Sequence, residues 1–547
     1  MSVMAYMPYG AGGIIIRVEA DIRRGIPGVD ITGLAEGAVR EARDRVRAAF
    51  RNSGFNFPMD RILINLAPAG MKKAGAALDL PIALSVMAAA GLAPVSGNLL
   101  VMGELELSGR IRPVPGVLAA ISAALEEGIN EFIVPAENAG EAAILASSFT
   151  AAENLQSAVH ALFIREETGA LPCPLNTASG AADMADTAGA VSPDTEFGDF
   201  ADVRGQAVYK RALEIAAAGG HNMLVFGPPG AGKTMLARRL PSIMAPLAVD
   251  EAVEVTKLYS LAGPFAGDAA SAARGGSRRF IDRLITRAPF RAPHHSASAE
   301  GILGGGRIPR PGEISLAHYG VLYLDEAPEF KINVLQALRE PLEDRVISIV
   351  RAEGPLSLPA EFQLLMTANS CPCGRLGIRD PDGEGSGGCF CSPEEISRYW
   401  RRFGGALLDR VEIRVAVLPP RIDEMGGKSA GEKSGCSSSA QIARRVTAAV
   451  EIQRRRFKGT GIRRNALLPA GRAAALCNMS AEAEGGLVRT ASRLGFSGRA
   501  YHGVLRVART IADLAGREII EMEDMDEAIR LRRLGEDPWD ILSIQDF

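Results

Sequence analysis

The 547-residue chain has few cysteines, no long apolar run and almost no net charge. Seven cysteines are too few for a disulfide scaffold in a chain of this length, and we expect them to be reduced. The most apolar stretch, IALSVMAAAGLAPV, is too short to span a bilayer. The first residues, MSVMAYMPYG, lack the basic segment and apolar run of a secretory signal. We therefore expect a soluble, cytoplasmic protein with no membrane contact.

The formal net charge of −3 argues neither for nor against a polyanionic partner, but the charges are unevenly distributed. Between Arg274 and Arg310, eight arginines accompany two carboxylates, Asp282 and Glu300. A second basic block, RRRFKGTGIRR, occupies 454–464. A nucleic-acid track requires local basic surfaces, although a solvated helix face gives the same pattern and is commoner.

The apolar content of 47% and the length leave room for about three domains. Two segments, 165–198 and 425–439, are rich in small and polar residues without periodicity, which predicts linkers. They delimit a domain over 1–164, a central domain over 199–424 and a helical domain over 440–547. In the last, AYHGVLRVARTIADLAG has apolar residues at helical spacing, and EMEDMDEAIRLRR is acidic at its start and basic at its end, as a dipole-matched helix is.

The segment MLVFGPPGAGKTMLARRL combines an apolar strand, a glycine-rich loop and a helix in the order of a phosphate-binding loop. Glycine lets backbone N–H groups close around phosphates, Lys233 is placed to reach the β- and γ-phosphates, and the Thr234 hydroxyl can bind Mg²⁺. The predicted nucleotide-binding positions in this loop are Gly227, Pro228, Pro229, Gly230, Ala231, Gly232, Lys233, Thr234 and Met235.

Hydrolysis of a bound nucleotide also requires a second strand that ends in carboxylates, and GVLYLDEAPEF supplies it. Asp325 is placed to hold the metal, and Glu326 is placed to polarise the attacking water. FQLLMTAN predicts a further strand with Asn369 at its end, beside the γ-phosphate if the strands are adjacent, although an Asn there also commonly caps a strand. The motifs predict a P-loop ATPase with ATP and Mg²⁺ as cofactors.

The order of these motifs resembles an AAA+ ATPase core, which is an α/β fold with a parallel sheet flanked by helices and a C-terminal helical lid. FADVRGQAVYKRALEIAAAGGHN resembles the segment that wraps the adenine, which implies nucleotide contacts for Val203 and Gly205. GALLDRVEI resembles the arginine-finger motif, so Arg410 is expected to point into a neighbouring subunit's site. SGRAYHGVLRVART resembles the sensor-2 helix, with Arg499 the better match and Arg506 the fallback. A trans-acting arginine implies a ring, most simply a hexamer, whereas ordinary surface ion pairs are the alternative.

Two insertions point to a subgroup of this fold. One lies within the 92 positions that separate Lys233 from Asp325 (325 − 233), and the other, EPLEDRVISIVRAEGPLSLPAEF, alternates like a hairpin before Asn369. Both are similar to the pore hairpins of magnesium-chelatase and MCM-type ATPases. PFRAPHH, PRPGEISLAHYGVLYLDE and NSCPCG further resemble the ComM/YifB family of magnesium-chelatase-like proteins, over nearly the whole chain.

That resemblance implies a ring-shaped DNA motor for branch migration of recombination intermediates, in natural transformation or homologous recombination. A rival expectation is a magnesium-chelatase-type subunit that drives metal insertion or remodels a protein partner. A nucleotide-gated scaffold is a third, which the complete set of Lys233, Asp325 and Glu326 disfavours.

The N-terminal segments IPGVDITGLAEGAVREARDRVRAAFRNSGFNFP, INLAPAGMKKAGAALDLPIAL and GRIRPVPGVLAAISAALEEGINEFIVPAEN resemble, in order, the Lon proteolytic domain, a ribosomal S5 domain 2-like α+β fold. Lon enzymes cut peptides with a Ser–Lys pair, but the matching positions here are Ala77 and Gly116. The resemblance therefore implies the fold without the protease, with the domain serving as a scaffold or a DNA-contact surface.

Two groups of residues raise the question of a further metal. Four cysteines form two Cys-x-Cys pairs around a Gly- and Asp-rich segment, and they are Cys371, Cys373, Cys389 and Cys391. Four thiolates suit tetrahedral Zn²⁺, which would order a segment with little apolar content, while unliganded buried thiols and redox sensing are alternatives. We expect His294 and His295 to be structural, because neighbours on an extended strand point to opposite faces. Three solitary cysteines are expected to be inert, namely Cys173, Cys436 and Cys477.

Overall fold

The computed structural model describes residues 2–34, 37–73, 75–95, 97–173, 197–263, 281–306, 309–351, 354–377, 388–419 and 437–533. Some of the positions singled out above lie outside these ranges, namely Arg274, Arg278, Arg279, Arg307, Cys436, most of both predicted linkers, the middle of the four-cysteine segment and the residues after 533. The division into three domains with these boundaries stays a prediction.

The strands of the described residues are β1 Ser2–Tyr9, β2 Gly12–Arg23, β3 Gly28–Thr32, β4 Arg61–Ala67, β5 Leu99–Val101, β6 Glu104–Leu105, β7 Ile111–Arg112, β8 Glu131–Pro135, β9 Phe149–Ala152, β10 Met223–Phe226, β11 Phe290–Arg291, β12 Gly304–Gly305, β13 Arg310–Pro311, β14 Val321–Leu324, β15 Val346–Arg351, β16 Gly354–Pro359, β17 Gln363–Ala368 and β18 Ile413–Ala416.

The α-helices of the described residues are α1 Gly37–Asn52, α2 Asp79–Ala89, α3 Val117–Glu126, α4 Ala139–Ala142, α5 Leu155–Thr168, α6 Ala207–Gly219, α7 Lys233–Ala237, α8 Val249–Ala262, α9 Ala299–Leu303, α10 Glu313–Leu316, α11 Ile332–Ala337, α12 Arg339–Asp344, α13 Pro393–Trp400, α14 Gly405–Leu408, α15 Ser439–Arg456, α16 Ala470–Leu476, α17 Ala481–Leu494, α18 Gly498–Leu514 and α19 Met522–Arg533.

The N-terminal region is built on a mixed sheet with the strand order β3-β4-β2-β1-β5-β8-β9. Its long central strand β2 alternates buried Ile16, Val18 and Ala20 with more exposed neighbours, which is the pattern of a strand with one face on a core. The apolar stretch that was too short for a bilayer forms α2, which is buried against β2 and α1. This arrangement is the expected α+β fold.

The central region contains a parallel sheet with the strand order β11-β14-β17-β10-β18. Strands β10, β14 and β17 are buried along their whole length, because helices cover both faces of a parallel sheet. β17 lies between β10 and β14, so the phosphate loop, the acidic pair and Asn369 all follow strands that end at the same edge. The structure thus confirms the predicted α/β core.

The C-terminal region is helical, as expected, and it packs on the central sheet. α18 and α19 coincide with the two helices that the sequence predicted, and they contact each other. α18 and α15 also contact α6, so the two regions share one hydrophobic core. In the part of the chain that the structure describes, no helix combines the length and the hydropathy needed to cross a bilayer.

The N-terminal region docks on the central region through the end of α8. The Leu261 side chain lies within an apolar cluster of the N-terminal domain, beside Tyr6 and Ala77. The Gly116 amide donates to the Ser260 carbonyl oxygen at 3.0 Å, and the buried Glu141 carboxylate accepts a hydrogen bond from the Ser260 hydroxyl. Because this contact is apolar at its centre and hydrogen-bonded around it, the two regions form one packed unit.

Candidate active site

The glycines of the phosphate loop are required by the backbone geometry between β10 and α7. Gly227 lies so close to Val417 that a Cβ would be 2.0 Å from the Val417 carbonyl oxygen. Gly230 and Gly232 have φ values of 79° and 82°, in the left-handed region that favours glycine. The loop therefore turns tightly enough to surround an anion with backbone N–H groups.

Lys233 lies inside this loop, with 9% of its surface exposed. Its Nζ donates hydrogen bonds to the carbonyl oxygens of Gly227 and Pro228 at 2.7 and 2.9 Å, and to Asn369 Oδ1 at 3.3 Å. Burial lowers the pKa of Lys233 to about 8, although nearby carboxylates oppose this shift. The ammonium is thus held at the position where a bound phosphate would take over its hydrogen bonds.

Asp325 and Glu326 follow β14 and meet the phosphate loop at the same edge of the sheet. Asp325 Oδ1 accepts hydrogen bonds from the Thr234 hydroxyl at 3.1 Å and from the Thr367 hydroxyl at 2.6 Å. Carboxylate and hydroxyl oxygens are the ligands that Mg²⁺ prefers, so this pair of side chains fits a metal-bound nucleotide. Glu326 is exposed and has a left-handed backbone, with φ 50° and ψ 51°, which turns its carboxylate away from the strand.

Thr367 was missed by the sequence analysis, although it lies two residues before Asn369. Its buried hydroxyl donates to Asp325 and accepts from the backbone N–H of Glu326 at 3.1 Å. Residues i and i+2 of a strand point to the same face, so Thr367 and Asn369 both point toward the site. The signal was available in the sequence as two polar residues at alternate positions of an apolar strand.

Asn369 contacts the lysine of the phosphate loop rather than only capping β17. Besides the bond to Lys233, its backbone N–H donates to the Tyr399 hydroxyl at 3.3 Å. The structure therefore brings together Lys233, Thr234, Asp325 and Asn369 from three adjacent strands.

The segment expected to wrap the adenine lies against the phosphate loop. Val203 and Met235 line a cavity of about 320 Å³ together with Gly230, Ala231 and Gly232. Gly205 has a positive φ of 65°, and the next residue, Gln206, donates to the carbonyl oxygen of Ala231 at 3.2 Å. The cavity thus joins the predicted base-binding segment to the predicted phosphate-binding segment.

Arg410 and Arg499 lie together, but away from the phosphate loop of their own chain. Both guanidinium groups form ion pairs with Glu343, and the bond from Arg499 is 2.6 Å long. The carbonyl oxygen of Arg410 accepts a hydrogen bond from the Asn222 side chain, one residue before β10 begins. Since the phosphate loop follows the last residue of β10, the arginines are at the opposite edge of the sheet. Arg506 is nearby, but it is paired with Glu412 at 3.4 Å.

Several arginines of the two basic blocks form ion pairs within the chain. In 454–464, Arg456 pairs with Asp513, and Arg463 pairs with Asp250 and Glu251. In the other block, the buried Arg291 forms a bidentate pair with Glu313 at 2.7 and 2.9 Å. These arginines stabilise packing, so among the described residues they do not form a continuous nucleic-acid track.

The four cysteine sulfurs meet in one cluster, and all lie within 4.8 Å of one another. The distances are 3.4 Å between Cys371 and Cys373, 3.7 Å between Cys371 and Cys389, and 3.7 Å between Cys373 and Cys389. A Zn–S distance of about 2.3 Å gives about 3.8 Å between two sulfurs of a tetrahedral site. The cluster, which Cys391 completes, therefore fits the coordination sphere of zinc.

The other candidate metal ligands do not form a comparable group. The rings of His294 and His295 are tilted by 35° with centroids 4.0 Å apart, and His294 Nδ1 bonds the Ser296 hydroxyl at 2.8 Å. Cys173 is exposed and Cys477 is buried, and each lies outside the four-sulfur group.

The positions that match the Lon dyad are used for packing. A Cβ added at Gly116 would lie 3.2 Å from Leu261 Cδ2, so α8 occupies the space that a lysine side chain would need. Ala77 packs against the same apolar cluster. Neither position offers a nucleophile or a base, and the fold is retained without protease chemistry.

We predict that ATP affinity depends on the protonation of Lys233. The charged ammonium binds phosphate, so affinity should be constant below the pKa of about 8 and fall as pH rises through it, by up to about tenfold per unit. Titration with a fluorescent ATP analogue from neutral to alkaline pH measures this. The matched control is Lys233→Arg, whose guanidinium stays charged, and an equally steep decline in that variant would contradict the prediction.

We also predict that Thr367 positions the acidic pair. Thr367→Val keeps the shape but removes one of the two hydrogen bonds to Asp325 Oδ1 and leaves the Glu326 N–H group without its partner. This should cost about 1–3 kcal/mol in the transition state, or about a five- to 150-fold lower kcat, with little change in KM for ATP. Thr367→Ser should restore most of the rate because it restores the hydroxyl. Steady-state ATPase assays in which both variants behave alike would exclude this role.

Comparison with known proteins shows three family matches along the chain. Residues 18–138 match the family described as subunit ChlI of Mg-chelatase, 199–425 match magnesium chelatase, subunit ChlI, and 436–532 match its C-terminal region. YifB of Salmonella typhimurium is 41% identical over 524 residues, which cover 95% of this chain and 94% of YifB. Competence protein ComM of Haemophilus influenzae is 37% identical over 529 residues, which cover 96% of each chain.

The Lon resemblance is also borne out, because Lon protease of Salinispora arenicola is 28% identical over 136 residues, 24% of this chain and 18% of Lon. The family implies an ATPase with ATP and Mg²⁺ as cofactors, and the residues at the carboxyl edge of the central sheet fit both. The chain belongs to the ComM/YifB family of magnesium-chelatase-like AAA+ ATPases.

Proposed function

We propose that this protein is a ring-shaped ATP-driven DNA motor that promotes branch migration of branched recombination intermediates. The main support for the proposal is that two sets of side chains lie at opposite edges of the central sheet in one chain. Lys233, Asp325 and Glu326 lie at the carboxyl edge of the sheet, whereas Arg410 and Arg499 lie at the amino edge. An ATP site completed by arginines therefore needs a second copy of the chain.

The geometry of β10 supports a trans-acting role for these arginines. Four strand residues separate the two edges, which corresponds to about 13 Å. A cavity of about 540 Å³ at the amino edge is lined by Arg345, Arg410, Arg499 and Arg506, together with four acidic side chains. Several guanidinium groups facing one cavity suit the triphosphate of a neighbouring subunit. Head-to-tail repetition of this contact closes a ring, for which we propose six subunits.

The DNA-binding part of the proposal rests on the insertions and on the relatives. β15 and β16 form the hairpin that the sequence predicted, with six paired positions on each strand. Both strands of the hairpin pack on the core, β15 through Ile347 and β16 through Leu358, and this packing anchors the hairpin. A relative named for competence, the uptake of DNA, supports a nucleic-acid substrate, in natural transformation or homologous recombination. We propose that this hairpin contacts DNA in the central pore.

Two further assignments complete the proposal. Mg²⁺ would be held near Thr234 and Asp325, and Zn²⁺ by the four thiolates, with each site formed by the ligand types that the metal prefers. The Lon-like domain serves as a scaffold, since its former catalytic positions are packed against α8. We propose that the protein acts in the cytoplasm.

A second candidate function is an ATPase that drives metal insertion or remodels a protein partner. The match to families described as magnesium-chelatase subunits favours it. The motor is preferred because ComM, to which the similarity extends over 96% of the chain, is named a competence protein.

We predict that a branched DNA junction stimulates ATP hydrolysis and is disassembled by the protein. ATPase rate and strand separation should be followed together without DNA, with linear duplex and with a three-strand junction. Glu326→Gln should bind ATP and hold the junction without separating it, because it lacks the carboxylate that polarises water. Lys233→Ala should lose both activities. Equal rates with every DNA would contradict the motor and favour the second candidate.

We predict that Arg410 acts at the ATP site of the neighbouring subunit. Mixing two inactive variants tests this prediction. Arg410→Ala and Glu326→Gln should each lower kcat by about 10³-fold or more, because each removes one half of the composite site. Mixed rings should regain activity, since an intact Glu326 site then meets an intact Arg410 of its neighbour. The exposed Arg401, which bonds Ser397 within α13, provides a matched control as Arg401→Ala. No recovery on mixing would argue against a trans-acting arginine.

A further inference from the structure

The first half of the four-cysteine cluster is continuous with the end of the catalytic strand β17. Cys371 follows Asn369 by two residues and is fully buried in the same core as Phe226 and Trp400. Asn369 itself accepts a hydrogen bond from Lys233 at 3.3 Å. The position of Cys371 therefore constrains where Asn369 meets the phosphate loop.

The turn that carries Cys371 and Cys373 lies directly on the phosphate loop. The Gly374 amide donates to the Cys371 carbonyl oxygen at 3.0 Å, and Gly374 has a positive φ of 76°. A Cβ at Gly374 would lie 2.8 Å from the ring atoms Cγ and Cδ of Pro229. This close approach means that a displacement of the turn is transmitted to the loop that surrounds the phosphates.

The second half of the cluster leads into α13, which returns to the same strand end. Cys391 precedes Ser392, the N-cap of α13, whose hydroxyl accepts from the Glu395 amide at 3.2 Å. In the last turn of α13, the Tyr399 hydroxyl accepts from the Asn369 amide, and Trp400 Nε1 donates to the Ser370 carbonyl oxygen at 3.0 Å. The helix thus holds the two backbone groups next to Cys371.

A metal at the four sulfurs would close this arrangement into a rigid frame. The sulfurs come from two chain segments separated by fifteen residues that are rich in Gly and Asp, with little apolar surface to hold the segments together. Metal–thiolate bonds are the strong link between such segments, and a supporting shell that fixes active-site residues raises the rate without contacting substrate.

We propose that the four-cysteine zinc site is a clamp that positions Asn369 and the phosphate loop, so that metal occupancy sets the rate of ATP hydrolysis. Cys371, Cys373, Cys389 and Cys391 hold the metal, and none of them contacts the nucleotide. The proposal rests on the zinc assignment made above, but not on DNA as the substrate.

The test uses the full-length chain without DNA. Zn²⁺ content is measured first, and Co²⁺ is then substituted to show a tetrahedral thiolate spectrum. Removal of Zn²⁺ with a chelator under reducing conditions should lower kcat at least about tenfold and leave KM for ATP within about twofold. Re-addition of Zn²⁺ should restore kcat. A parallel readout is Trp400 fluorescence in a Trp539→Phe background, where Trp400 is the sole tryptophan.

Variants provide the matched comparison. Cys373→Ser and Cys389→Ser should lose bound Zn²⁺, shift the Trp400 emission and lower kcat, whereas Cys173→Ser should change none of the three. A cysteine variant can misfold. If the variants have lower melting temperatures, the reversible chelation experiment serves as the test instead. Protein that binds neither Zn²⁺ nor Co²⁺, or that keeps its kcat and Trp400 emission after Zn²⁺ removal, would overturn the clamp. Failure of DNA stimulation would leave these results unchanged, so the two proposals are tested separately.

Discussion

The active site depends on the hydrogen bonds that converge on one carboxylate oxygen, Asp325 Oδ1. It accepts from Thr234 after β10 and from Thr367 on β17, while its own residue follows β14. These contacts require that three parallel strands are adjacent and end at the same level, with Val225 opposite Thr367 and Leu324 opposite Met366. A shift of one residue would turn Thr367 and Asn369 to the other face of the sheet. The register of the sheet is therefore the constraint on which the chemistry rests.

The same parallel sheet holds the residues of the nucleotide site and the two arginines apart within one chain. Phosphate-binding and metal-binding side chains follow the strands and lie at the carboxyl edge, and the arginines lie at the amino edge. Glu343, which is half exposed, pairs with both Arg410 and Arg499; the Arg410 side chain is mostly buried, with 13% of its surface exposed, whereas that of Arg499 is 49% exposed. The two guanidinium groups and the phosphate loop of the same chain therefore lie on opposite sides of the sheet.

The N-terminal domain shows how a protease fold becomes part of an ATPase. Leu261 from α8 is inserted beside Gly116 and Ala77, and the buried Glu141 accepts hydrogen bonds from Ser260 and from the Leu118 amide. Restoring the dyad would place a long side chain where Leu261 packs. The docking of α8 is therefore compatible with the small residues Gly116 and Ala77 at the positions of the Lon dyad.

Features that depend on neighbouring residues could be predicted from the sequence. The apolar strand, the glycines and Lys233 of the phosphate loop, the acidic pair after β14, the hairpin and the helices α18 and α19 all have local patterns, and the structure contains each of them. The grouping of the four cysteines could be predicted from their spacing, because two Cys-x-Cys motifs flank one segment. Resemblance to known families supplied the expectations for Val203, Gly205, Arg410 and Arg499, and those roles stay predictions.

Contacts between residues that are distant in the chain could be identified from the folded structure alone. Thr367 stands in the sequence only as a polar residue of an apolar strand, and its role became apparent when the neighbouring strand brought Asp325 within 2.6 Å. Arg456 looked like part of a basic surface until Asp513, 57 positions away, was placed beside it. The contact of Gly374 with Pro229 likewise depends on how a loop folds back on a sheet. Local patterns are set by short-range sterics and hydrogen bonding, whereas these contacts are set by strand register and packing, which no short stretch of sequence specifies.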